Sequence, residues 1–243
     1  MAGFNFGAVA NTTGVASDRR LRAYTINKVT FAEAKVAVIH SDKNNTDYDV
    51  LNVKFTSDAG LYEENFFLPS TSGRDIERQP NNWGGEQPSN ADRAMMFVAH
   101  LLSVINHDGF EKLKKVSGKM TTFKQVAEAT AKLLNEKKNT ECYLKLTGRT
   151  DDQGRVFASL PYFTGISKET HEAYVSNNFL SLKDDLAFTP SEDKKRQEFE
   201  SAKPTAVDST SSTSANVSTV TSVSNSDIDQ ATEDELGSLL NDL

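Results

Sequence analysis

Tyr143, Lys145, Arg149, Arg155 and Phe157 fall within one stretch of fifteen residues. The pattern around them is strand, turn, strand: residues 141–149 and 155–160 flank the turn Asp151-Asp152-Gln153-Gly154. Placing Leu144 and Leu146 inward with Val156, Ala158 and Leu160 puts Tyr143, Lys145, Thr147 and Arg149 on the opposite face, joined by Arg155 and Phe157. Two rings interleaved with three cations carry out no covalent chemistry, but they match what a single nucleic-acid strand requires. Each ring offers a base a stacking partner worth about 1–3 kcal/mol, and the cations follow the phosphates. The competing reading is an ordinary half-buried hairpin whose rings pack beneath helices. Lys28, Lys35 and Lys54 on the opening strands extend the cationic face. Arg19, Arg20 and Arg22 form a denser cluster suited to phosphate, and Trp83, beside Gly84-Gly85, is either a mobile stacking residue or a plug for its loop.

Covalent and metal chemistry find no such grouping. His40, His100, His107 and His171 are scattered, with no HxH, HxxxH or CxxC spacing, so no metal site is read. There is no phosphate-binding GxxxxGK[ST], no GxGxxG after a strand and no GxSxG. The acid pairs Glu63-Glu64, Asp151-Asp152 and Asp184-Asp185 read as surface, since neighbours on a strand point apart. Neither an enzyme nor a cofactor is expected.

Charge is distributed unevenly. The 243 residues include 27 basic and 34 acidic side chains, a net charge of -7. Residues 204–243 contain no Lys or Arg and seven acids: Asp208, Asp227, Asp229, Glu233, Asp234, Glu235 and Asp242. Residues 1–203 therefore hold 27 of each sign and are formally neutral. A neutral body tied to an acidic strand is what a protein needs when its tail must compete with a polyanion for a basic surface. Within 227–243 the acids interleave with Ile228, Leu236, Leu239, Leu240 and Leu243. The last four share one helical face, the spacing of a segment that folds on a partner's groove. The plain alternative is a solubilising tail.

These residues need elements to position them. Residues 1–22 read as a flexible arm closed by its arginines. Residues 24–39, 50–56 and 61–68 alternate in the manner of three antiparallel strands, and 69–89 form a long polar loop. Ser89 opens a helix with the stripe Ala94, Val98, Leu101, Leu102 and Ile105, residues 110–116 form a second, and Thr122 caps a third with Phe123, Val126, Ala127, Thr130, Leu133 and Leu134. After the hairpin, residues 167–179 read as helix, and 191–203 as a charged helix or the start of a linker. Thirteen of the twenty-three residues in 204–226 are Ser or Thr, so this segment buries too little to fold. The expected organisation is an arm at 1–22, a body at 23–190 with a helical insert at about 90–136, a linker at 191–226 and a tail at 227–243. Strands, helices, then strands match a five-stranded, partly open barrel of the oligonucleotide-binding type, mainly β with a helical insert; a β-sandwich is its competitor.

Body, linker and acidic end together resemble the single-stranded DNA-binding proteins of bacteriophage replication modules. The resemblance rests on the strand-rich residues 24–160, the Ser/Thr linker and the acidic, apolar terminus. It departs from the common pattern in ending Asn241-Asp242-Leu243 where many such tails end in Phe. It implies sequence-independent binding of single-stranded DNA in replication, recombination or repair. It also implies a tail that recruits replication partners such as a polymerase, helicase or primase. A β-rich virion or assembly protein whose tail docks another chain is the alternative from a different class. One cysteine, Cys142, and no apolar span of eighteen residues lead to the expectation of a cytoplasmic protein, in host cytoplasm if viral.

Overall fold

The computed structural model describes residues 19–41, 45–71, 73–81, 85–162, 164–175 and 177–202. Residues 1–18, Trp83, the linker from 203 and the acidic tail lie outside the described residues. The chain opens with β1 (Thr25–Ser41), β2 (Thr46–Ser57) and β3 (Gly60–Phe67), the expected meander. The polar loop contains α1 (Gly73–Ile76) and a small ladder of β4 (Gln79–Pro80) with β5 (Glu86–Gln87). Three helices follow: α2 (Asn90–Ile105), α3 (His107–Val116) and α4 (Phe123–Asn135). Then come β6 (Glu141–Thr150), β7 (Val156–Ser159), β8 (Thr164–Ile166), β9 (Ala173–Val175), β10 (Leu180–Ser181) and α5 (Pro190–Ser201).

The main sheet is antiparallel in the order β10, β6, β1, β2, β3, with β7 paired to β6 as its hairpin. β1 is long enough to serve two partners. Its first half pairs with β6, Thr25 opposite Leu146 through Thr30 opposite Glu141, and its second half pairs with β2. A register shift between Phe31 and Glu33 marks the change. There Asn135, at the end of α4, donates to the Ala34 carbonyl at 2.7 Å and accepts from the Ala34 amide at 3.0 Å, so the bulge is held by a side chain. The sheet is not a closed barrel, because β3 and β7 share no ladder.

One face of the sheet is packed by the helices. Phe31, Leu51, Val53 and Phe55 meet Phe97, Leu101, Leu102, Ala127 and Leu134, all buried, and Leu144 and Leu146 join them. Each such fully buried ring or branched chain contributes about 1.5–3 kcal/mol. Phe97 also stacks on Phe66 at 4.4 Å and on Phe179 at 5.9 Å, joining α2 to β3 and to the segment before β10. The helix starts follow the sequence: Ser89 and Thr122 both form capping boxes.

One expected element is replaced. The described residues of 167–179 are not helical; β8 and β9 form a hairpin instead. The Tyr174 ring lies over Gly165, where a Cβ would come within 2.6 Å of it, and His171 in the turn adopts φ 57°. Ring-on-glycine packing and a left-handed turn override the helical propensity of the Lys-Glu-Thr sequence between them.

Candidate nucleic-acid interface

The register of the hairpin puts Arg149 directly opposite Phe157 and Gly148 opposite Ala158. Phe157 is 49% exposed, and the Arg155 guanidinium lies 5.5 Å from the centre of its ring. Arg155 is held by the carboxylate of Asp151, four residues earlier, at 2.7 Å. The tip of the hairpin thus presents one stacked ring and two exposed arginines, Arg149 and Arg155.

The arginines of the opening segment are brought to the same region by two glycines. Leu21 donates to the Leu61 carbonyl and Leu61 to the Arg19 carbonyl, both at 2.8 Å, a parallel bridge on the outer edge of β3. This approach requires Gly60, whose Cβ would meet the Arg19 carbonyl oxygen at 2.2 Å. Three residues on, Tyr24, at φ 57°, lays its ring over Gly148 of β6, where a Cβ would come within 2.4 Å. Exposed Arg19, Arg20 and Arg22 therefore lie along the span between β3 and the hairpin. Electrostatics agrees. Burial pushes the Tyr62 hydroxyl and the Glu64 carboxyl, joined by a hydrogen bond, above their usual values. Arg20 acts on the first and Arg149 on the second, in the opposite sense. Glu64, read as surface from its neighbour Glu63, instead faces the helix side in register with Val53.

Lys145 is corrected outright. Expected among the surface cations, it is 2% exposed. Its ammonium donates to Asn177 Oδ1 at 2.7 Å, to the Ala187 carbonyl at 2.9 Å and to Glu192 Oε2 at 3.3 Å. The strand does alternate here, with Lys145 pointing away from Leu144 and Leu146, but α5 and the segment before it cover that side. Burial pushes the Glu192 carboxyl up, but the Thr189 amide, Asn177 and Lys145 together hold it below the usual carboxylate range. Glu192 is thus both the capping-box acid of α5 and the counter-ion of a buried lysine. Sequence could not locate this cover, because α5 contributes no buried residue and shows no apolar stripe.

The other lysines do not build a basic stripe. Lys28 pairs with Glu141 at 2.8 Å. Lys54 lies between Glu33 and Glu63 in the ladder, and Lys35 lies opposite Asn52. Tyr143 is half-buried opposite Lys28. Sequence reasoning missed the Tyr48–Phe67 pair, whose rings meet edge-on at 5.8 Å on β2 and β3. Alternation from Lys54 back to Asn52, Val50 and Tyr48 could have found it.

Among the described residues no group of three or more His, Cys, Asp or Glu could hold a metal ion. No described helix is long and apolar enough to cross a membrane. No protein-family model matches the chain, no curated protein matches it, and no solved structure matches it.

Proposed function

We propose that this chain binds single-stranded DNA without sequence preference and acts in DNA replication, recombination or repair. The observation that carries the reading is the hairpin tip, where exposed Phe157 lies beneath Arg155 and across the ladder from Arg149. A base stacks on such a ring whatever its identity, and the flanking cations meet the phosphates on either side. Arg19, Arg20 and Arg22 extend the contact toward β3. The architecture this reading implies is an open oligonucleotide-binding barrel. Three features are consistent with it: β1 is shared between β2 and β6, helices lie between β3 and β6, and the β3–β7 side has no ladder. The acidic residues 227–243 compete for the cationic surface when DNA is absent, and recruit a replication polymerase, helicase or primase when DNA displaces them.

The test is a titration of the full chain against labelled single-stranded DNA, duplex DNA and RNA across a salt series. Binding at low micromolar protein, preference for single strands and a salt slope of about -0.7 per phosphate contact are expected. Equal affinity for duplex, or affinity indifferent to salt, rejects the reading. No binding at all leaves the virion or assembly reading in its place.

A further inference from the structure

The largest acid-free cationic stretch of the chain is not on the hairpin. Residues 112–124 hold Lys112, Lys114, Lys115, Lys119 and Lys124, all exposed, and no acid. Among the described residues the first four form no salt bridge, and Lys124 reaches Asp49 only at 3.7 Å. That contact places Lys124, in the first turn of α4, beside β2. Asp49 follows Tyr48 in β2, and its carbonyl accepts from Leu68, the residue after Phe67, at 2.9 Å. The first turn of α4 is therefore tied to the end of the sheet that carries the Tyr48–Phe67 ring pair. Phe67 is 56% exposed there, more than Phe157 on the hairpin. Along the same face the ladder continues to the side-chain amides of Asn52 and Asn65, hydrogen-bonded at 2.6 Å, opposite Lys35.

We propose that this end of the molecule is a second binding segment for a single nucleic-acid strand. Phe67 and Tyr48 stack bases, and Lys119 and Lys124, extended by Lys114 and Lys115, neutralise the phosphates of a strand passing round the end of the sheet. The inference rests on the function proposed above and gives it a site built from none of the hairpin's residues. An acidic peptide would satisfy the lysines equally well, but it makes no stacking use of an exposed ring pair. Bases do.

The experiment measures anisotropy of a labelled thirty-nucleotide oligothymidine with the full chain, over a range of sodium chloride concentrations. Phe67→Ala is expected to weaken binding about tenfold with an unchanged melting temperature, since the ring is largely in solvent. Lys119→Gln with Lys124→Gln should make the salt slope shallower by about 0.7 for each lysine that meets a phosphate. If the wild type binds and Phe157→Ala weakens it while Phe67→Ala and the lysine variants do not, this second site is rejected and the hairpin reading stands. Loss of the lysine effect when residues 227–243 are deleted would assign these lysines to the acidic tail and overturn the proposal. Failure of the wild type to bind any oligonucleotide rejects both readings together.

Discussion

Phe157 and Lys145 come from the same face of one strand pair, and burial gives them opposite roles. Phe157 is a solvent-facing ring. Phe157→Ala should cost single-stranded DNA binding about 1–3 kcal/mol and leave the melting temperature nearly unchanged, read by anisotropy beside a thermal melt. Lys145 is the reverse case. Removing one partner of a buried ion pair strands the other, at a cost of about 3–5 kcal/mol. Lys145→Ala should therefore lower stability in urea by that order, because Glu192 and Asn177 lose their shared donor. A Lys145→Ala protein of unaltered stability and shallower salt slope would restore the surface role that alternation alone suggests. Cys142 belongs with Lys145 rather than with the surface: burial pushes its thiol up to about 12, so little thiolate forms at neutral pH.

At the scale of elements, α2 carries a pH-sensitive contact. His100 packs against Phe179 with ring centres 4.5 Å apart, and its Nε2 is buried without a partner. Burial lowers its pKa from 6.5 to about 4. The unfolded chain takes up the proton near pH 6.5 and the folded chain only near 4, so between these values the unfolded state binds more protons. Stability should fall as pH drops from 6.5 to 4, by up to roughly 3 kcal/mol, and His100→Gln should remove that slope. Glu64 works in the opposite sense. Its raised carboxyl favours the neutral form, so its contribution is lost as pH rises past the ordinary glutamate value. Comparing wild type with His100→Gln at pH 4 and pH 7 by urea melts isolates the histidine. A His100→Gln curve parallel to wild type would mean that the imidazole is hydrated in solution. α5 shows the other use of an element here: a helix with no buried residue is fixed by its capping acid and by the Tyr24–Phe199 ring contact at 5.3 Å.

For the whole molecule, the decisive quantity is how charge is partitioned. Residues 1–203 are formally neutral and the remaining acids lie beyond α5. Tethered to the body, such a tail competes at an effective concentration in about the millimolar range, so even a weak contact masks a cationic surface. Deleting residues 227–243, which removes six acids, should tighten DNA binding at low salt. High salt should erase the difference, because screening weakens the tail's contact as it weakens the DNA's. Unchanged or weaker binding by the truncated protein at low salt would end the competition mechanism and leave the tail as a partner anchor.

Sequence alone determined the local order of this protein. Alternation in 50–56, the Ser89 and Thr122 caps with their apolar stripes, and the turn between β6 and β7 each report a preference that neighbouring residues enforce among themselves. The charge imbalance of the tail is likewise a property of composition. Tertiary structure alone decided which face of each strand meets solvent. Tyr143, Lys145 and Arg149 alternate identically, yet one is half-buried, one is sealed by α5 and one is exposed. No periodicity in β6 encodes a helix some forty residues later whose Glu192 pairs with Lys145 and whose Phe199 meets Tyr24. The same limit hid the Tyr48–Phe67 pair and the contact of Lys124 with Asp49, which form only when β2 pairs with β3 and α4 packs on β2. Long-range contact depends on how packed elements meet, and a side chain's chemistry depends on what that meeting leaves in water.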